Sequence, residues 1–172
     1  MTPTPGTLVF AHTTGILGRA IRFGQRMRYR GTASFYNHVA IVDRVDGEQV
    51  FVIQAEARGV TNDKTLDSVA PGGAFTLITP PPHVNVDRLL EFARGEVGSG
   101  YGWLSILSAS FDIATPDWLP SIRRDGSWIC SAISAEALRA GGWIRRWPDV
   151  YCVTPAQLWN ALVFDNAVIS SK

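Results

Sequence analysis

The chain has 172 residues, of which 46% are hydrophobic and 18% are charged, so its composition predicts one folded domain, residues 1–172, and excludes extended disorder. Sixteen basic residues against fifteen acidic ones leave a net charge of +1, which gives no reason to expect nucleic acid as a partner. Two cysteines make no disulfide framework, and three scattered histidines make no zinc-type cluster, so we expect neither a metal nor another cofactor.

No apolar run in the sequence approaches the roughly 20 residues that span a bilayer. The N-terminal arginines follow the first apolar stretch, whereas a secretory signal peptide places its basic residues first. We therefore expect no signal peptide, no transmembrane segment and no stable insertion into a membrane.

Hydrophobic periodicity divides the chain into short strands and amphipathic helices. The predicted strands are Thr7–Ala11, His38–Val45, Val50–Ala55, Ala74–Thr79, Tyr151–Val153 and Val163–Ser170. The predicted helices are Gly15–Arg28, Val86–Val97, Cys130–Ala140 and a last helix that begins at the Thr154–Gln157 capping box. Residues 102–127 contain an apolar segment and two prolines and are predicted to form a long excursion. Adjacent hairpins with helices grouped before and after them predict an α+β fold, an antiparallel sheet packed with helices.

Cys130 lies at the start of the predicted apolar helix Cys130–Ala140. The unpaired N–H groups and the positive end of the dipole at that position lower the pKa of a thiol and favour the nucleophilic thiolate. The same N–H groups can hold a developing oxyanion. The alternative is a buried core cysteine, and this is our interpretation of Cys152, which lies in a predicted strand without polar neighbours.

His38 opens the second predicted strand, from which its imidazole can reach a partner. An imidazole beside a thiol acts as a general base, whereas the alternative here is a surface or hydrogen-bonded core histidine. On the next strand, Gln54 and Glu56 point to one face, and either could orient the imidazole from its far nitrogen. The alternative for both is a solvated strand end.

The orienting role requires His38 and Gln54 to lie on the same face of the hairpin. In an antiparallel pair of strands, the numbers of any two residues that lie opposite each other add up to the same sum. Because the numbers of His38 and Gln54 are both even, the two residues share a face only if that sum is even. A regular two-residue turn at Asp46–Gly47 gives an odd sum. We therefore predict an odd-length loop or a β-bulge between Asp43 and Val50.

Fourteen of the sixteen basic residues are arginines, and five of these precede the first acidic residue, Asp43. The five are Arg19, Arg22, Arg26, Arg28 and Arg30. We interpret them as the solvated face of a helix, and a second interpretation is a rim that attracts carboxylates or phosphates. His12, which ends the first predicted strand, is interpreted as a surface residue or as part of the rim of the cleft.

Four short motifs follow one another along the chain. They are His-Val-Ala-Ile over 38–41, Val-Ile-Gln-Ala over 52–55, Gly-x-x-Tyr-x-Trp over 98–103 and Trp-Ile-Cys-Ser over 128–131. All four resemble motifs of the NlpC-type cell-wall peptidases, but in another order. That order resembles the circularly permuted branch of the superfamily, with YiiX/YaeF-like bacterial proteins and lecithin retinol acyltransferase-like lipid enzymes. The Pro-Gly-Thr-Leu-Val-Phe run over 5–10 resembles the first strand of that branch.

The resemblance implies a permuted papain-like fold with its nucleophile, Cys130, at a helix N-terminus and His38 as its base. By its place before Ala55, Gln54 matches the third polar position. Glu56 lies two residues further on, so that assignment is shared between the two side chains.

The resemblance also implies residues that contact the substrate. Tyr101 matches a tyrosine that lines the site beside the nucleophile. Trp103 and Ser131 belong to the same two motifs as Tyr101 and Cys130, and they are the other expected substrate-binding residues.

The function that the resemblance implies is that of a cysteine peptidase or amidase. It would cleave an amide bond, as in peptidoglycan stem peptides, through an acyl-enzyme. Two alternatives are a lipid acyltransferase or thioesterase on the same site, and a non-catalytic binding module of the same fold. The closeness of the motifs to the cell-wall peptidases favours the amide. We expect a peptide or acyl substrate and, given the expected lack of a signal peptide, a cytoplasmic bacterial or phage-encoded protein.

Overall fold

A five-stranded antiparallel sheet forms the centre of this α+β protein. The computed structural model describes residues 3–14, 19, 22, 35–101, 127–147 and 150–170. Neighbouring strands of the sheet follow the order β4-β3-β2-β1-β5, with bounds β1 Leu8–Ala11, β2 His38–Asp46, β3 Gln49–Glu56, β4 Gly59–Thr65 and β5 Phe75–Ile78. A small parallel sheet pairs β6 (Gly100–Tyr101) with β7 (Ser127–Trp128). The helices are α1 Leu66–Val69, α2 Val86–Gly95, α3 Cys130–Ala140 and α4 Pro155–Ser170.

Both faces of the large sheet are covered by other parts of the protein. The middle strands are therefore apolar at consecutive positions and not only at every second position. On one face, Val39 and Ile41 of β2 belong to a core that also contains side chains of α2, α3 and α4. On the other face, Ala40 and Val42 belong to a second core closed by α1. The helix α3 therefore packs directly against the middle of the sheet.

Most predicted elements are confirmed within one to three residues at each end. These are β1, β2, β3, β5, α2 and, with identical bounds, α3. The capping box at the start of α4 is also confirmed, because the Thr154 hydroxyl accepts from the Gln157 N–H at 3.2 Å. The Gln157 side-chain oxygen accepts from the Thr154 N–H in return, at 2.8 Å.

Two predicted strands are wrong, and one strand of the sheet, β4, is not among the predictions. The strand β4 was not expected, because Asn62, Asp63 and Lys64 make it polar, as suits an edge strand. Residues Val150–Cys152 form a 3-10 turn, closed by a 3.2 Å bond from Val153 N–H to Val150 O, instead of a strand. Residues 163–170 continue α4 instead of forming a strand, since no glycine or proline interrupts the helix after Pro155.

Some expectations lie outside the described residues. These are the predicted helix over Gly15–Arg28, apart from Arg19 and Arg22, the excursion over 102–126 and Trp103. Within the described ranges, no helix is long and apolar enough to cross a membrane.

The predicted irregularity of the β2–β3 hairpin is a β-bulge at Asp43. Arg44 pairs with Phe51, but Val42 pairs with Val52, so Asp43 is the extra residue. The turn itself is the two-residue Gly47–Glu48 connection between paired Asp46 and Gln49, and Gly47 takes a φ of 59° there. The bulge changes the index sum from odd to even, which puts His38 and Gln54 on one face.

A buried carboxylate, paired with two half-exposed arginines, holds the bulge. The Asp43 side chain is 4% exposed, and its carboxylate accepts from Arg94 Nε at 2.7 Å and from Arg44 Nη1 at 3.0 Å. Arg94, on α2, also donates to the main-chain oxygen of Asp43 at 3.1 Å. One arginine therefore binds both the side chain and the backbone of the bulged residue, and it anchors α2 to the sheet.

Replacing Arg94 with methionine should lower the free energy of unfolding by about 2 kcal/mol, because it leaves the buried Asp43 carboxylate with one partner fewer. Denaturant unfolding measures the change. Arg88→Met on the same helix is the matched control, since Arg88 is exposed. Equal stability of the two variants would contradict the role of the ion pair.

Candidate active site

The first turn of α3 presents main-chain N–H groups with no side-chain cap. Its N-cap residue is Ile129, with extended φ and ψ of −101° and 157°, and an aliphatic side chain cannot accept from these N–H groups. The first turn contains no acidic residue. Such a helix start is suited to a negatively charged group.

Cys130, the first residue of α3, supplies that group. Its side chain is buried, and its sulfur accepts from the main-chain N–H groups of Ser131 and Val39. Val39 belongs to β2, so the sulfur lies at the junction between the helix and the sheet. The neighbouring His38 imidazole forms a hydrogen bond with the same sulfur.

The His38 imidazole is held from both sides. Its Nε2 lies 2.6 Å from Oε1 of Gln54, which leaves Nδ1 for the Cys130 sulfur. Gln54 is itself buried, and its Nε2 donates to Glu56 Oε2 at 3.5 Å. That second contact turns the amide so that its oxygen, and not its nitrogen, faces the imidazole. A chain of four side chains therefore runs from Cys130 through His38 and Gln54 to Glu56.

The electrostatics of this chain favour a thiolate and an imidazolium. Burial by itself would raise the pKa of Cys130, but the positive charge and hydrogen bond of His38, with the N–H groups of Val39 and Ser131, lower it below its ordinary value. Burial by itself would lower the pKa of His38, but the Cys130 charge and hydrogen bond, then Gln54 and Glu56, raise it.

Tyr101 lies beside this pair and remains a neutral phenol. Burial, followed by the negative charges of Cys130 and Glu56, raises the pKa of Tyr101. A neutral phenol next to a thiolate is a hydrogen-bond donor for negative charge that develops on a bound substrate.

The segment before Tyr101 is tied to β4. The Val60 N–H donates to Ser99 O and the Gly98 N–H to Val60 O, both at 2.9 Å. This close approach requires Gly59, whose φ is 111° and where a Cβ would lie 2.4 Å from Ser99 O. The unpredicted strand β4 thus positions the tyrosine.

The residues before the nucleophile are held by a carboxylate that the sequence did not indicate. Glu96, just after α2, accepts from Trp128 Nε1 at 2.6 Å and from the Ser99 hydroxyl at 2.7 Å. The Trp128 ring stacks on Tyr151 with centroids 5.2 Å apart. The sequence motifs do not mark Glu96, because its partner Trp128 lies 32 residues further along the chain.

Asn37 is a second residue that the sequence did not single out, although it directly precedes His38. It is buried, and its side chain exchanges hydrogen bonds of 2.8 Å with both the N–H and the carbonyl of Thr13. The start of β2 is thereby fastened to the segment that leaves β1.

Of the expected site residues, the structure brings together Cys130, His38, Gln54, Glu56 and Tyr101. The Ser131 hydroxyl is turned away, because it is fully buried and donates to Val153 O, so only the N–H of Ser131 faces the sulfur. The described residues contain no group of three or more histidine, cysteine or acidic side chains that could hold a metal ion. Comparison with protein-family models and with curated proteins finds no match for the chain.

Alkylation of Cys130 should persist at pH values below the ordinary titration range of a thiol. The thiolate is present above its lowered pKa, so the rate should fall only when the pH drops through that lowered value. The measurement is the pH profile of iodoacetamide labelling in Cys152→Ala protein, which leaves one thiol to count. His38→Ala removes the cation and should move the rise in rate to higher pH, and an unchanged profile would contradict the pairing.

Gln54→Glu should raise the pKa of His38 further, since it adds a negative charge at a distance of one hydrogen bond. Gln54→Met should lower that pKa, because it removes the hydrogen bond and keeps the size of the side chain. The measurement is an NMR pH titration of the His38 ring. Gln49→Glu, at the exposed start of β3, controls for added charge, and a shift as large as that of Gln54→Glu would rule out the direct contact as the cause.

Proposed function

We propose that this protein is a cysteine hydrolase of permuted papain-like fold that cleaves an amide bond through a covalent acyl-enzyme. The observation that carries the proposal is the hydrogen-bonded pair of the Cys130 thiol and the His38 imidazole at the uncapped start of α3. A lowered thiol pKa, an oriented imidazole and unpaired N–H donors are the three parts that nucleophilic catalysis by cysteine needs.

In the first half of the reaction, the Cys130 thiolate attacks the carbonyl carbon of the amide. The carbonyl oxygen becomes an oxyanion, which the N–H groups at the start of α3 and the Tyr101 phenol stabilise. The His38 imidazolium then gives its proton to the amide nitrogen. The C–N bond breaks, the amine leaves, and a thioester between Cys130 and the acyl group remains.

In the second half, the now neutral His38 takes a proton from water, and the hydroxide oxygen attacks the thioester carbonyl. Collapse of the second tetrahedral intermediate breaks the C–S bond and restores the Cys130 thiolate beside the His38 imidazolium. The acyl group leaves as a carboxylic acid, which loses its proton to solvent. No cofactor is required, because both proton transfers use the same imidazole.

Gln54 and Glu56 have different tasks in this scheme. Gln54 touches His38 and orients the ring, whereas Glu56 touches Gln54 and supplies negative charge that favours the imidazolium. The sequence left the role of the third polar residue open between Gln54 and Glu56. In this scheme both take part: the Gln54 amide orients the imidazole, and the Glu56 carboxylate lies behind the amide.

We propose peptides of the peptidoglycan stem type as the substrate class. The support is the likeness of the Tyr-x-Trp and Trp-x-Cys-Ser motifs to those of cell-wall peptidases. An acyl chain on a lipid would react with the same thiol by the same steps, so the substrate has to be decided by assay.

Purified protein should cleave an amide in peptidoglycan fragments and leave phospholipid vesicles intact. Mass spectrometry of the products identifies the bond, and Cys130→Ala and His38→Ala should each lower the rate by about a thousandfold or more. Cys152→Ala is the matched control and should retain the rate.

Two results would contradict this proposal. One is muropeptide cleavage that survives Cys130→Ala. The other is Cys130-dependent release of fatty acid from vesicles with no cleavage of muropeptides.

A further inference from the structure

Glu96 connects the two short strands that lead to Tyr101 and to Cys130. Its Oε2 accepts from the Ser99 hydroxyl at 2.7 Å and from Trp128 Nε1 at 2.6 Å. Ser99 directly precedes β6, which carries Tyr101, and Trp128 belongs to β7, two residues before Cys130. One carboxylate oxygen therefore joins the segment that carries the phenol to the segment that carries the thiol.

The place of Glu96 in α2 gives no reason for an acidic residue there. Glu96 is the C-cap residue of that helix, where the partial negative charge of the helix end disfavours a carboxylate. Phe92, four residues earlier, packs edge-on against the Trp128 ring, with centroids 6.0 Å apart. The end of α2 thus holds the indole by its ring and by its N–H, and this contact accounts for an acid that the helix alone would not favour.

The segment before Tyr101 is fixed by hydrogen bonds that converge on Ser99. The Ser99 N–H donates to Glu96 O at 3.0 Å, its hydroxyl donates to the Glu96 side chain, and its carbonyl accepts from the Val60 N–H at 2.9 Å. Tyr101 follows two residues later and pairs with Trp128 in the parallel β6–β7 sheet. These bonds therefore hold the main chain of Tyr101 in a set position relative to Trp128.

The proposed reaction depends on the distance between these two segments. Its oxyanion accepts from the Tyr101 phenol and from the N–H groups at the start of α3 at the same time. Such donors have to lie within about 0.5 Å of their productive positions, and a displacement of about 1 Å can lower the rate by about a hundredfold. A contact that fixes one segment against the other thus acts on the transition state without touching the substrate.

We propose that Glu96 is a positioning residue of the reaction, which sets the Tyr101 phenol against the start of α3 so that both donate to the same oxyanion. The inference rests on the proposed function and adds to it a residue that acts through others. Loss of Glu96 should lower kcat and leave KM nearly unchanged. The thiolate should persist, because the hydrogen bonds described for the Cys130 sulfur come from His38 and from the N–H groups of β2 and α3.

The first test compares two reagents that modify Cys130 by different reactions. p-Nitrophenyl acetate acylates the thiolate through a tetrahedral oxyanion and releases p-nitrophenolate, whereas iodoacetamide alkylates it by displacement of iodide and forms no oxyanion. Both rates are measured in Cys152→Ala protein, which leaves one thiol. Glu96→Ala should lower the acylation rate by about ten- to a hundredfold and leave the alkylation rate within about twofold.

Three further variants complete this test. In Glu96→Gln the amide oxygen can take the place of Oε2 and accept from both donors, so acylation should stay within about threefold of the native rate. Glu91→Ala removes an acid from an exposed position of the same helix and is the matched control, with both rates unchanged. Ser99→Ala removes one of the two bonds and should lower acylation by a smaller factor, and it serves if Glu96→Ala does not fold.

The second test asks whether Glu96 acts through Tyr101. In Tyr101→Phe protein the phenol is already lost, so the addition of Glu96→Ala should lower the acylation rate by less than about twofold further. Three results would overturn the proposal. They are losses that simply multiply in the double variant, an equal loss of acylation and alkylation in Glu96→Ala, and a Glu96→Gln acylation rate as low as that of Glu96→Ala.

The failure of this inference and the failure of the proposed function give different results. Acylation of Cys130 that depends on Glu96 as expected, without any cleavage of muropeptides, would reject the proposed amide hydrolysis alone. Cys130-dependent cleavage of muropeptides with a kcat that Glu96→Ala does not change would reject this inference alone.

Discussion

The hydrogen-bonded contact between the Cys130 thiol and the His38 imidazole is the interaction on which the rest of the site depends. Two opposite charges are stable in a buried position only when their remaining hydrogen-bonding groups also find partners. Here the Cys130 sulfur accepts from two main-chain N–H groups and the His38 ring is held by Gln54. The fold therefore has to place the uncapped start of α3 next to His38, the first residue of β2.

Several features distant from the sulfur serve this arrangement. The bulge at Asp43 puts His38 and Gln54 on one face, and Arg94 fastens the bulge to α2. On the other side, the approach of Ser99 to Gly59 brings Tyr101 next to the pair. Each feature is a contact between residues far apart in sequence, so the geometry of the site is a property of the whole sheet and of the helices packed on it.

Local patterns predicted much of this structure and missed what depends on distant contacts. The apolar run after Cys130 predicted α3 with its observed bounds, and the parity of His38 and Gln54 predicted the bulge. Periodicity alone did not bring Cys130 and His38 together; the order of the motifs suggested it. The edge strand β4 was missed because its polar residues carry no alternating apolar signal. Residues 163–170 are predicted as a last strand that closes the sheet, whereas in the structure they continue the capped helix α4.

In the proposed mechanism, His38 is an imidazolium because Cys130 is a thiolate. Heteronuclear NMR of the ring nitrogens tests this most directly, since it distinguishes a ring with two protonated nitrogens from a neutral one. We expect both nitrogens of His38 to be protonated near neutral pH in the native protein, and a neutral ring at the same pH in Cys130→Ala. A neutral His38 ring in both proteins would contradict the ion pair and the account of the site that depends on it.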